Sequence, residues 1–495
     1  MPISHVLRAL LAAALLALAA AAGASASSTQ VTVMQDDDQL FGHGDNRGKA
    51  TLDEMKALGA DVVKIRIGWR YVVPKPGANK KPSGFQSENP AEYPHEYWER
   101  IDNVVIGTVA RGMRPYILIG GPAPDWASGK TPVDRPDPKE YGKFAQAVGT
   151  RYSGSYGGGP LPTSPPPLPR VTIFSLMNEP NLFSWLTPQQ ADGRPASPHI
   201  YRKLLRAGNS GLNKAGHNSS TLLFGELLPY ARSGEAGRRK TRPLDFLREL
   251  ACVDSSYKPF KGRKARERGC KGFEALPGDG IAYHPYTLPG GPDVNTPNRS
   301  DASISELGRV TQALDKLSNR NRFKKNRLPL WITEFGYQTD PPDQYQTPIK
   351  RVPGFLGQAE WLAFRNPRVV SYAQYPLVDD KKSRDGGGFQ SGLRTRNRNK
   401  KKLVYAAFKA PFFVQRRSAS SVEIFGGVRA GASGEKVTIQ SKKGRKGDWK
   451  TLKNGKVALG PGGYFDKIYS LSGADKRQYR FRYSAGKSRT ATAHR

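Results

Sequence analysis

Acidic residues are scarce in this chain. Its 495 residues carry 42 Asp and Glu against 78 Lys and Arg, a formal net charge of +36. A field of that sign attracts polyanions such as anionic cell-wall polymers, acidic polysaccharides or nucleic acid. A merely solvated basic surface is the plain alternative. No zinc-finger or RNA-binding signature accompanies the clusters at Arg238-Arg239-Lys240, Lys381-Lys382 and Lys400-Lys401-Lys402, so no specific nucleic-acid partner is expected. Cysteine is almost missing, with Cys252 and Cys270 as the whole complement. Neither has a histidine partner in a nucleophile motif. In an exported chain they would form one disulfide across a basic loop, contributing on the order of 3 kcal/mol in the chain-entropy view. Two free thiols are the alternative. No Gly-rich phosphate turn follows the first strand, and no second histidine stands at ligand spacing from His284. Neither a cofactor nor a metal is therefore expected.

Long apolar runs are missing after the first 26 residues, so no spanning helix is expected beyond them. At the start, His5 and Arg8 precede an apolar run over 9–22, and Ala24-Ser25-Ala26 supplies small residues for cleavage. Residues 1–26 are expected to be a signal peptide, with a secreted or wall-associated mature chain beginning near Ser27. An N-terminal anchor is the alternative, but the run is shorter than the roughly 20 residues that a spanning helix needs.

What is present is alternation. Short apolar runs at 31–34 (or 40–41), 62–67, 115–119, 171–177, 221–224, 280–284, 330–334 and 369–375 read as eight strands. Helical patterns separate several of them, at 51–59, 98–111, 141–152, 199–215 and 304–317. Eight strands with interleaved helices predict a (β/α)8 TIM barrel over residues 27–413. A doubly wound sheet is the runner-up. After residue 413 helical periodicity stops. Runs at 422–425, 436–440, 449–452, 464–469 and 479–483 predict a small C-terminal all-β sandwich over 414–495. That segment carries a net charge of +14, which suits a polymer-docking module or a structural appendage.

Chemistry is expected at strand tips. Asn178-Glu179-Pro180-Asn181 ends the fourth run, and Thr333-Glu334-Phe335-Gly336 ends the seventh. A carboxylate at the end of a buried strand is costly without partners. At a barrel mouth it is well placed to act on a substrate. Two such carboxylates are what glycoside hydrolysis needs, and about 5–5.5 Å apart they would act as acid/base and nucleophile. Glu179 is the expected acid/base, with a pKa raised by partial burial and a neighbouring carboxylate. Glu334 is the expected nucleophile and needs cationic or donor partners. Arg66, by the alternation of its strand, and Tyr286 are the expected suppliers. Asn178 is expected at a sugar 2-hydroxyl, and His284 beside them. Trp69, Trp126, Trp185 and Tyr375 follow or end strands and are expected to stack on sugar faces. Structural roles for each, such as core packing, caps or rim ion pairs, are the plain alternatives.

Asn178-Glu179-Pro180 on strand four, His284-Pro285-Tyr286 on strand six and Glu334 on strand seven together resemble the retaining glycoside hydrolases of clan A. The resemblance spans about residues 30–413 and rests on strand order. It implies a (β/α)8 barrel with acid/base and nucleophile on strands four and seven. Arg66 matches the clan's strand-two arginine, Tyr286 its nucleophile-bonding tyrosine, and His284 a histidine lining the site. Asn178-Glu179-Pro180-Asn181-Leu182 followed by Trp185 is similar to the β-xylosidase and iduronidase-like family, and Arg66 with His284-Pro285-Tyr286 fits the cellulase-like family equally. The clan's frequent strand-eight tryptophan is missing from Ser371-Tyr372-Ala373-Gln374-Tyr375-Pro376. The expected function is a secreted retaining β-glycosidase acting on a carbohydrate, with an anionic cell-wall polymer as a further partner. The alternative is a non-catalytic polysaccharide- or wall-binding protein on the same scaffold.

Overall fold

A computed structural model describes residues 27, 30–157, 167–231, 239–288, 290–340, 346–381, 388–397, 400–431 and 433–495. Segment 1–26, expected to be a signal peptide, and Arg238 and Lys382 lie outside the described residues. Eight strands close a parallel barrel: β1 (Val31–Met34), β2 (Val62–Gly68), β3 (Arg114–Gly120), β4 (Ile173–Leu176), β5 (Thr221–Leu227), β6 (Gly280–Tyr283), β7 (Leu330–Ile332) and β8 (Val369–Gln374). Each pairs with its sequence neighbour, and β1 closes on β8 with Val31 opposite Ser371. Segment 40–41 lies in a short helix, Asp37–Phe41, and is no strand.

The helices α1 (Asp45–Ala57), α2 (His95–Ala110), α3 (Pro138–Arg151), α4 (Ser197–Lys214), α5 (Pro243–Leu250), α6 (Leu307–Ser318) and α7 (Val352–Phe364) surround the barrel. Local chemistry starts them where they start. Asp137 caps α3 by accepting from the backbone N–H of Lys139 and Glu140, and Pro138 occupies the first turn, where its missing donor costs nothing. Helices α3 and α4 meet at glycines. A Cβ on Gly211 would fall 2.0 Å from the carbonyl oxygen of Gly142, so no larger residue fits that crossing. Cys252 and Cys270 are joined as a disulfide, closing the basic segment between them.

Beyond the last helix, α8 (Leu403–Lys409), come two antiparallel sheets. One holds β9 (Phe412–Ser418), β10 (Ser421–Gly427) and β13 (Tyr464–Ser470). The other holds β11 (Lys436–Lys443), β12 (Lys450–Ala458) and β14 (Arg477–Tyr483), with the short pairings Gly486–Lys487 and Ala491–Thr492. Their inner faces share one core that includes Phe412, Ile424, Val437, Ile439 and Phe481, which makes a sandwich. The first sheet rests on α7, where Trp361 and Phe364 pack on Phe413, Phe425 and Tyr464. A buried ion pair, Arg429 with Glu360 at 2.6 Å, ties the two units together. Because α7 serves the barrel and the sandwich at once, it is buried on most of its surface.

Candidate active site

Strand β4 ends at Leu176, and the chain then leaves regular geometry. Met177 and Glu179 both take positive φ, 63° and 38°, unusual for residues with a side chain. The turn is held by the backbone N–H of Met177 on Ile119 and that of Glu179 on Glu226. It is locked further by Asn181, whose amide donates to the carbonyls of Leu228 and Thr241 and accepts from the N–H of Leu228. Asn181 is thus a tie between the β4 and β5 loops, and it leaves Asn178 and Glu179 to face the barrel mouth. Asn178 Oδ1 is buried and has no hydrogen-bond partner among the described residues.

Glu334 stands across from Glu179. Tyr286 donates to its Oε2 at 3.2 Å, and the Lys64 ammonium donates to its Oε1 at 3.1 Å. Lys64 takes the part expected of Arg66. Both side chains lie on the same face of β2, but Arg66 is a layer higher at the rim. There it pairs with Asp37 at 3.6 Å and stacks over Trp185, 5.4 Å from the ring centroid.

His284 links the carboxylates. Its Nδ1 is 2.9 Å from Glu179 Oε1 and its Nε2 is 2.6 Å from Glu226 Oε2. Glu334 Oε2 lies 3.5 Å from the same Nδ1. A ring facing acceptors on both sides holds a proton on each nitrogen. Burial opposes that charge, but Glu334, Glu179 and Glu226 outweigh it and push His284 up to about 9. Glu179 is raised in turn, by burial first and by the charge of Glu334, against the donated bond from His284. Burial would also raise Glu226, but Lys64, His284 and Ser175 outweigh it and hold Glu226 well below the usual carboxylate range.

Glu226 was not anticipated. It is fully buried and accepts from Lys64, Tyr116, Ser175, His284 and Thr333. It is the extra residue of a bulge in β5: Gly225 pairs with Ala282 and Leu227 with Tyr283, which leaves Glu226 between them at φ 51°. A bulge re-aims a side chain in this way.

The aromatic expectations divide. Trp185 and Tyr375 stand at the rim, and Tyr375 lines a cleft of about 510 Å³ with Asp37, Arg66, Tyr71 and Tyr97. Trp69 is corrected: it is 1% exposed, stacked on Phe144 and edge-on to Tyr141, because the chain turns into a 3-10 helix after Gly68 and drops the ring between barrel and α3. Trp126 packs edge-on against Trp69 and Phe85 and belongs to the same cluster. Gly336 meets its own chain: a Cβ there would lie 2.7 Å from the Tyr375 carbonyl oxygen. Phe389, from the loop after β8, was missed. It is 38% exposed, stacks on Tyr286 and meets Tyr375 edge-on.

Glu179, His284 and Glu334 each offer a ligating atom within 4.8 Å of the others. While His284 keeps a proton on each nitrogen it has no lone pair to give a metal, so binding one there would release a proton.

No protein-family model matches the chain, and no curated protein does. Among solved structures, the family 39 glycoside hydrolase of Bacteroides cellulosilyticus is similar over 92% of this chain and 80% of its own, at 15% identity and a TM-score of 0.50. The likeness is one of fold, a closed eight-stranded parallel barrel. A family 5 mannosidase of Rhizomucor miehei (10% identity, 78% of this chain and 96% of its own, TM-score 0.40) and β-glucuronidase 2 of Bacteroides uniformis (9%, 94% and 45%, 0.44) overlap it less closely.

The buried charges of the barrel mouth make stability depend on pH. Against burial first, and the charge of Lys64, the carboxylates Glu334, Glu179 and Glu226 raise His284 from 6.5 to about 9. A raised cation contributes stability that is complete below the unfolded pKa and is lost as pH climbs through the folded one. Unfolding free energy is expected to fall between about pH 6.5 and 9. Urea midpoints measured across that window check it, and a slope identical in His284→Asn would remove His284 as its source.

Proposed function

We propose that the protein is a retaining β-glycosidase of carbohydrate chains, with Glu334 as nucleophile and Glu179 as acid/base. One observation supports this most: the two carboxyl groups stand at one point of the barrel mouth in opposite environments, with oxygens within 4.8 Å of each other. Such closeness suits direct attack by one carboxylate and leaves no room for a water behind the sugar. Glu334 has donors on both oxygens, which suits a group that stays ionised. Glu179 is raised and gives Oε1 to His284, which leaves Oε2, with no hydrogen bond among the described residues, to protonate the departing oxygen. In the first step Glu334 attacks the anomeric carbon, the C–O bond breaks, and the Glu179 proton goes to the leaving oxygen. In the second, Glu179 takes a proton from water, and the water oxygen displaces Glu334.

Asn178 Oδ1 would accept from the sugar 2-hydroxyl, a contact that strengthens in the transition state. Phe389 and Tyr375 would offer aromatic surface beside Tyr286, in the region where the strand-eight tryptophan is missing. The apolar run at 9–22 with Ala24-Ser25-Ala26 supports export, so the substrate would be met outside the cell.

A panel of aryl β-glycosides, with proton NMR of the first sugar released, tests the proposal. The β-anomer is expected first. An α-anomer first would mean a single displacement and end the nucleophile assignment. Failure to cleave any member, with tight glycan binding, would favour a binding protein.

A further inference from the structure

The second sandwich sheet has a face with one chemistry. Its strands β11, β12, β14 and the Gly486–Lys487 pair contain ten Lys and Arg and no Asp or Glu. Alternation sorts the side chains. Val437, Ile439, Tyr479 and Phe481 point into the core, so Lys436, Thr438, Gln440, Lys442, Arg480 and Arg482 point out. The first sheet packs on α7, so this outward face is on the far side of the sandwich from the barrel.

Register turns these residues into rows. Lys487 pairs with Arg482, Arg482 with Thr438, and Thr438 with Lys456. Neighbouring strands are about 4.8 Å apart, so three cations stand along a row spanning three such gaps. Lys487 and Arg482 are directly opposite, a like-charge pair that destabilises a sheet by itself. Among the described residues, no ion pair involves Lys436, Lys456, Arg482 or Lys487. In the next row Arg480 donates to Gln440 at 2.9 Å. The half-buried Trp449 lies over that part of the face, its ring centroid 4.1 Å from the Arg480 guanidinium and 5.2 Å from the Lys442 ammonium. A stable fold gains nothing from an acid-free, self-repelling face.

We propose that this face is a docking platform for an anionic polysaccharide, a polyuronate, with Lys456, Arg482 and Lys487 taking successive carboxylates and Trp449 stacking on a sugar face. Charge complementarity selects a polyanion. The choice of a glycan over nucleic acid rests on the proposed glycosidase activity, since docking beside a glycan would hold the barrel at its substrate.

The test uses the full chain with Lys456, Arg482 and Lys487 changed to Gln. The control changes three exposed basic residues of the barrel helices, Lys139, Lys203 and Lys214, to Gln and so removes equal charge. Binding to polygalacturonate is measured at about 50 mM salt, where screening is weak. A Kd raised by about tenfold in the platform variant and unchanged in the control is expected, with the difference shrinking at high salt. Equal weakening in both variants would reduce the effect to net charge and overturn the platform. Tighter binding to DNA than to polygalacturonate at matched charge would overturn the glycan. Turnover of a soluble aryl glycoside, measured beside it, is expected to be unchanged in both variants, so a failed binding result stays separate from a failed activity.

Discussion

Glu334→Ala is expected to lower kcat/KM on an aryl β-glycoside by about 10⁵-fold, the scale seen when a covalent nucleophile is removed. It should also abolish labelling by a mechanism-based fluorosugar, since no carboxylate remains to form the ester. The geometry makes the expectation sharper than a loss of rate. Truncation leaves a space between Lys64 and Tyr286, the two donors that now hold the Glu334 oxygens. Azide fits such a space and is drawn to Lys64. Attack from that side displaces the leaving group once, so an α-glycosyl azide is expected. The companion Glu179→Ala should give the opposite result. With an activated leaving group its first step survives, and azide entering from the Glu179 side opens the glycosyl ester to a β-glycosyl azide. Persistent labelling of Glu334→Ala, or the same azide anomer from both variants, would defeat the assignment of roles.

The barrel was readable because its strands are short apolar runs, several with a helix pattern behind them, and all eight runs appear as strands in the expected order. The two glutamates were readable for the same reason: each stands just past the end of such a run. What could not be read is where alternation breaks or where contact is non-local. The fifth strand was expected to end at 224 and runs to Leu227. Its bulge adds one residue that a period of two cannot register, and that residue is Glu226. Gly225 inside the strand was the available sign. Lys64 shared the face of Arg66 by simple alternation, but depth in the barrel decides which cation reaches Glu334. Trp69 was misplaced because a strand tip and the start of a 3-10 turn look alike in sequence. Phe389 comes from a loop 14 residues past Tyr375, and no local pattern connects them.

Glu226→Gln is expected to lower kcat/KM by about 10³-fold without Glu226 ever touching the substrate, an effect of the size seen when preorganised charge around a reacting group is lost. The reason is a charge balance. With Glu179 protonated, the buried groups are two cations, Lys64 and His284, and two carboxylates, Glu226 and Glu334. That set is neutral, and ionising Glu179 would leave it one negative charge in excess, in keeping with the raised pKa of Glu179. Glutamine removes one negative charge, so the set becomes positive while Glu179 keeps its proton. One proton then leaves at lower pH, from Glu179 or from His284, as a coupled step. The alkaline limb of kcat/KM is expected to move to lower pH, and the His284 titration, followed by ring NMR, to fall from about 9. Geometry adds to the loss. Tyr116 and Ser175 donate to one Glu226 oxygen, and Lys64, His284 and Thr333 to the other, so an amide nitrogen on either side meets donors. Glu226→Asp keeps the charge on a shorter arm and should recover the pH limb better than the rate. A variant that is merely unstable would lower the active fraction but leave both titrations in place; if Glu226→Gln does that, Glu226 is only packing.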